Sequence, residues 1–202
     1  MINYFVIFIP CAGGNHLGNL LSLDKKFKIR FDKKAYLPTM STMQNAHTGR
    51  GSFDVADIAK NFEIYKNQNN IFCGHYGEFI FFKSHDFFDL LPNKTYFIME
   101  PPLNLNGRGF DRIKKYLLGS TDKWLYDEIR WIYTVSNFKK LSGVEKNIYQ
   151  VFGDSMFTDD IRPLLSDLMD KVTDLNIDLD QAQELHTKWI KKLFFTDLTI
   201  GN

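Results

Sequence analysis

The chain has 202 residues and a mass of 23.6 kDa, with 25 Lys+Arg against 24 Asp+Glu and a formal net charge of +1. That length lets a single chain bury roughly 70% of its unfolded surface, so a core needs neither disulfides nor a structural metal. The near-zero charge argues against a general nucleic-acid binder, and two cysteines, Cys11 and Cys73, are too few for a disulfide scaffold and suit a reducing compartment.

Tyr4 to Ile9 form a continuous apolar run of strand length, the pattern of a strand buried on both faces. The run is too short to span a bilayer, and no other apolar run approaches 18 residues, so the sequence predicts a soluble, cytoplasmic protein with no membrane partner. After Pro10 comes a Gly-rich turn over Cys11 to His16, then a short helical pattern from Leu17 to Leu23. Asp24 to Lys34 is strongly basic, and Leu37 to Phe53 reads as a long polar loop, a length usually kept for function or mobility. Asp54 to Asn67 has helical spacing with Asp54 as its cap.

Further strands are predicted at Ile71–Cys73, Thr95–Met99 and Ile148–Phe152. Between the first two, Phe79 to Phe82 reads as a short buried segment and Phe87 to Leu91 as a helix. Phe110–Leu118 and Asp122–Leu141 have helical patterns. Two amphipathic helices close the chain, Ile161–Val172, with Thr158 as its cap and two Asp in its first turn, and Asp178–Phe195. Strands separated by helices predict one α/β domain across residues 1–202, three-layered and P-loop-like, with a mostly parallel sheet flanked by helices. The 19 Phe, the 15 Asn and the excess of 19 Lys over 6 Arg reflect AT-rich coding and carry no functional meaning.

Ligands of open parallel sheets bind outside the carboxyl ends of the strands, and three strand ends carry candidate chemistry. The first is Cys11-Ala12-Gly13-Gly14-Asn15-His16. Glycines let successive N–H groups curl inward, and the following helix start favours an anion. The segment reads as a phosphate or sulfate cradle or as a tight strand–helix turn; without Gly-Lys-Ser/Thr it is not a Walker A loop. The second is Gly74-His75-Tyr76-Gly77-Glu78, where His75 and Glu78 form either a base with its orienting partner or a plain turn. The third is Glu100-Pro101-Pro102 followed by Arg108 and Arg112, which suit bidentate phosphate binding or an ordinary solvated helix start.

Cys11, His16, Cys73 and His75 would make a zinc site only if the strands converged, and no CxxC or HExxH spacing supports one, so no metal is expected. The two cysteines pair or, more commonly, stay buried thiols. His186 reads as a packed or capping group beside an apolar helix stripe, and His47 lies in the polar loop, within reach of a site if that loop closes.

The opening strand, Pro10 and Ala12-Gly13-Gly14-Asn15-His16-Leu17 resemble the phosphosulfate loop of the sulfotransferase family, a branch of the P-loop nucleotide-binding fold. Val151-Phe152-Gly153-Asp154-Ser155-Met156-Phe157 and Leu185-His186-Thr187-Lys188-Trp189 resemble the C-terminal part of bacterial and viral members. The resemblance implies a sulfuryl transfer from 3′-phosphoadenosine 5′-phosphosulfate to a hydroxyl acceptor. Gly13, Gly14, Asn15 and His16 would hold the phosphosulfate, with Arg108 and Arg112 as nucleotide partners. His16 would replace a missing Lys charge, and His75 or Glu78 would be the base. The sequence departs from the family in having no Lys, Arg, Ser or Thr in Cys11–Asn15 and in placing Glu100 near an expected Arg. A non-catalytic relative with a degenerate donor site, or a transferase using another activated donor such as a sugar nucleotide, are the alternatives. Residues 1–50 carry 7 Lys+Arg against 2 Asp+Glu, and residues 151–202 carry 5 against 10, so the basic excess follows the Gly-rich turn, where a small anion would approach.

Overall fold

In the computed structural model the described residues are 1–9, 12–27, 29–31, 38–40, 43–45, 59, 62–114 and 131–195. The elements begin with β1 (Asn3–Ile7), α1 (Gly14–Leu21), β2 (Ile29–Phe31), β3 (Pro38–Met40), β4 (Met43–Asn45), α2 (Phe62–Tyr65) and β5 (Asn70–Gly74). They continue with α3 (Tyr76–Lys83), α4 (Asp86–Leu90), β6 (Lys94–Glu100), α5 (Arg108–Ile113), α6 (Val135–Ser142) and β7 (Ile148–Phe152). A 3₁₀ turn (Gly153–Phe157), α7 (Arg162–Lys171) and α8 (Leu179–Phe195) complete the order.

The apolar run at the start becomes the middle of the sheet. β1 and β5 are buried at every residue, as continuous apolar strands require. The strand order is β4-β5-β1-β6-β7, and every neighbouring pair is parallel. Buried Asn3 and Asn70 lie opposite each other in the register, and Asn70 Nδ2 donates to Asn3 Oδ1 at 2.8 Å, which pins that pairing.

Alternation sorts side chains onto two faces. Phe5, Phe72 and Tyr96 face Phe79, Phe82, Phe88 and Phe138, which come from α3, α4 and α6. On the other face Tyr4 meets Phe27 and Phe97, and α1 packs against α8, which packs against α7. The result is the expected three-layer α/β arrangement. From β1 the chain crosses toward β4, whereas each later crossover runs the opposite way across the sheet. With right-handed connections, β1 is therefore the strand at which the winding reverses, and the crevice beside its carboxyl end is the favoured ligand position.

Several elements differ from the sequence reading. The loop expected over Leu37–Phe53 contains β3 and β4; β3 pairs antiparallel with β2 in a separate small sheet. Helix α1 begins at Gly14 and not at Leu17. Phe79–Phe82 belongs to a helix, α3. Thr158 does not cap α7; its hydroxyl donates to the Ser155 and Asp160 carbonyls, and the helix opens on Ile161, whose N–H donates to Gln183 Oε1 of α8. The two Asp expected in that helix's first turn precede it. Parts of the helices expected over Asp54–Asn67, Phe110–Leu118 and Asp122–Leu141 lie outside the described residues, as do Pro10, Cys11 and His47. No helix among the described residues is long and apolar enough to cross a membrane.

Candidate functional site

At the reversal strand, Gly13 turns the chain from β1 into α1. Its φ of +88° and ψ of 11° place it in the left-handed region, where glycine is the favoured residue, and Gly14 then enters the helix. A left-handed residue followed by right-handed ones points successive N–H groups to one side. The first N–H groups of a helix have no intrahelical acceptor, and no other hydrogen bond to those of Gly13, Gly14, Asn15 or His16 forms among the described residues. The glycines themselves answer to packing. A Cβ on Gly14 would lie 2.0 Å from the Phe8 ring, and one on Gly13 would lie 3.2 Å from the Trp189 ring. Gly14→Ala is accordingly expected to destabilise the protein by about 1–3 kcal/mol, the usual range for overpacking, read as a lowered urea midpoint.

His16 occupies the third helical position and is buried. Its Nε2 lies 3.1 Å from Nδ1 of His186, and Nε2 of His186 lies 2.8 Å from the Thr158 carbonyl oxygen. A carbonyl only accepts, so His186 carries its proton on Nε2, its Nδ1 accepts, and His16 donates from Nε2. His16 Nδ1 is then an acceptor, buried and without a hydrogen-bond partner, as is the side-chain oxygen of Asn15. The Trp189 ring stacks on His16 at 4.1 Å and 8°. Burial, and secondarily the neighbouring His186, holds His16 well below the usual histidine range. Burial also lowers His186, against opposing contributions from the Thr158 carbonyl, Asp159 and Asp160. One added proton on His16 Nδ1 would leave both histidine hydrogen bonds intact and put the charge against the Trp189 face, a favourable cation–π position.

The second strand end adjoins the first through Phe8. His75 Nδ1 donates to the Phe8 carbonyl at 2.9 Å, and the two rings meet edge to face at 5.1 Å. That bond fixes the neutral tautomer with its basic lone pair on Nε2. Glu78 accepts from the His75 backbone N–H at 2.8 Å and so caps α3. Tyr133, pushed up to about 12 by burial, sets its hydroxyl 3.4 Å from the Tyr76 backbone nitrogen.

The third strand end stands apart. Arg108 donates to Asp159 at 2.8 Å and lies over the Phe194 ring. Its link to the turn runs through Phe194, Phe157 and Trp189. Arg112, a turn further along α5, is half-buried. Glu100 accepts from Gln150 at 3.5 Å, and Asp154 laces the loop after β6 by accepting from the N–H groups of Leu103 and Asn104 at 2.7 and 3.1 Å.

Burial pushes the Cys73 thiol well up, which leaves it inert, and a pairing with Cys11 lies outside the described residues. No group of three or more metal-ligating side chains assembles among the described residues. The residue whose role the sequence reading understated is His186. Its signal was the spacing of three to Trp189, which puts both on one face of α8. Among known proteins, no family model, no curated protein and no solved structure matches this chain.

Proposed function

We propose that the chain is a sulfotransferase-like protein that holds the phosphosulfate of a nucleotide-sulfate donor at the β1–α1 turn. There the sulfuryl group would pass to a hydroxyl acceptor. The observation that carries this reading is the row of N–H groups from Gly13 to His16 at the reversal strand, with the buried, unpartnered Nδ1 of His16 on the same helix start. Helix N-termini of this kind stabilise anions. His16 can add the positive charge that the turn's sequence lacks, because a bound anion favours its protonated form. In the transfer, the acceptor oxygen attacks sulfur, its proton passes to a base, and the bond from sulfur to the phosphate oxygen breaks, releasing 3′-phosphoadenosine 5′-phosphate. His75 is the proposed base, with Glu78 as its positioning residue through the backbone bond.

A second reading, donor binding without turnover, is favoured by the pairing of Arg108 with Asp159 and by the absence of Lys and Arg from residues 11–19. The two separate experimentally. Titration with 3′-phosphoadenosine 5′-phosphate is expected to raise the melting temperature, by about 2.7 kcal/mol of stabilisation at a hundred times the dissociation constant. The absence of a shift at saturating concentrations would overturn both readings. A shift with no sulfuryl transfer to a panel of hydroxyl acceptors selects the second. If transfer is seen, His75→Ala should keep the shift and lose turnover by about 10²–10⁴-fold.

A further inference from the structure

The amino ends of the strands carry a separate concavity, opposite the β1–α1 turn. β1, β6, β7 and the segment after α7 enclose a cavity of about 200 Å³. At about 30 Å³ per water-sized group, that admits a ligand of about six or seven non-hydrogen atoms, far short of a nucleotide.

Tyr4 lines this cavity. Its side chain is 1% exposed and packed on Phe27 and Phe97, yet its hydroxyl has no hydrogen-bond partner. Buried polar groups are normally satisfied, so an orphan facing a cavity marks a position for a ligand atom. Tyr149 and Thr95 stand beside it on β7 and β6, and Asp174 is exposed at the rim. No Lys or Arg lines the cavity, and Asp174 makes no ion pair with any described residue. The other nearby carboxylate, Asp24, is already engaged by Lys26 and by the N–H of Asn176.

Asn93 and Asn147, which precede and follow the same pattern at the starts of β6 and β7, have φ of 44° and 55°. Non-glycine residues adopt that conformation only a few per cent of the time. Each commits its Nδ2 to main chain, Asn93 to the Met1 carbonyl at 2.9 Å and Asn147 to that of Lys94 at 3.2 Å. What these amides have left to offer is a carbonyl oxygen. Burial, with Asp24 and Asp174 adding to it, keeps the Tyr4 phenol protonated, so its oxygen is a neutral acceptor.

Acceptors, a negative rim and two tyrosine rings together select a cation that donates hydrogen bonds. We propose that this cavity is a binding site for a short aliphatic primary amine in its ammonium form. The ammonium donates to the Tyr4 hydroxyl oxygen, Asp174 balances its charge, and the aromatic rings add cation–π attraction. A four-carbon diamine has the six non-hydrogen atoms that the volume admits. The site is independent of the reading of the β1–α1 turn.

The test is calorimetric titration of the full chain with putrescine, against 1,4-butanediol as a neutral molecule of the same length, at fixed ionic strength. Putrescine is expected to bind and butanediol to show no heat. Asp174→Asn, an exposed position, is expected to weaken putrescine binding at least tenfold, whereas Asp170→Asn, exposed on α7 outside the cavity, leaves it unchanged. Tyr4→Phe removes an unbonded hydroxyl, so the variant should be at least as thermostable as the parent while binding at least tenfold more weakly. Equal binding of butanediol, no binding of putrescine, undiminished binding by Tyr4→Phe, or equal losses from Asp170→Asn and Asp174→Asn would each overturn the proposal.

Discussion

Phe5→Ala is expected to cost about 3–5 kcal/mol of folding stability, the range for emptying a fully buried aromatic site. Phe5 is 0% exposed and sits where β1 meets the helical layer on its face. Its ring stacks on Phe72 of β5 at 5.0 Å and on Tyr96 of β6 at 5.3 Å. Phe88, Phe79 and Phe82 approach from α4 and α3 at 5.5, 5.9 and 6.0 Å. Offset and edge-on aromatic pairs add attraction beyond the area they bury, and all of it is lost together. The walls of the resulting cavity are themselves aromatic rings fixed by two strands and two helices, so the site collapses poorly and the loss falls toward the upper end. Urea denaturation should show a lower midpoint with an unchanged slope. A loss below about 1 kcal/mol would mean that the aromatic cluster is not the keystone of this face.

The parts of the fold that were legible in the sequence are those whose environment is uniform. Phe5-Val6-Ile7 and Ile71-Phe72-Cys73 are apolar at every position because the strands are covered on both faces, and Ile148–Phe152 matches β7 to the residue. β3 and β4, at three residues each within a polar stretch, carry too little pattern to stand out. The start of α1 was misplaced because Gly14-Asn15-His16 has poor helix propensity; Phe8 and Trp189, packed on the turn, override that local preference. Thr158 has the right chemistry for a cap, but the acceptor at the α7 start is Gln183, 22 residues away. Long-range partners also explain the site. Each strand end was recognisable from its own glycines and polar residues. That His16 faces His186, 170 positions later, follows only from the packing of α1 against α8. The same packing commits Arg108 to Asp159, which no local spacing announces.

Acidification from pH 7.5 to 5 is expected to destabilise the protein through the same histidine pair. Both folded-state values are depressed, His16 by burial and then by His186, and His186 by burial against the pull of the Thr158 carbonyl, Asp159 and Asp160. In the unfolded chain a histidine titrates near 6.5. Below that pH the unfolded state takes up protons that the folded state refuses, so the contribution is complete above about pH 6.5 and is lost as the pH falls. Each histidine that stays neutral removes up to about 1.4 kcal/mol per pH unit. The hydrogen-bond chain admits one proton, at His16 Nδ1, because a second would set two N–H groups face to face between the rings. At least one histidine's loss is therefore expected, up to about 2 kcal/mol by pH 5. Carboxylates contribute to the same limb, so the informative comparison is with His186→Gln, which can still donate to Thr158 and accept from His16 but does not titrate. Urea denaturation across this range should show a shallower acid limb for the variant by about one proton, and parallel limbs would refute the assignment. An anion at the β1–α1 turn makes the contrast sharper. With His16 protonated and paired to a bound phosphate, 3′-phosphoadenosine 5′-phosphate should stabilise the protein more at pH 5.5 than at pH 7.5. A ligand that bound elsewhere would leave the acid limb as it was.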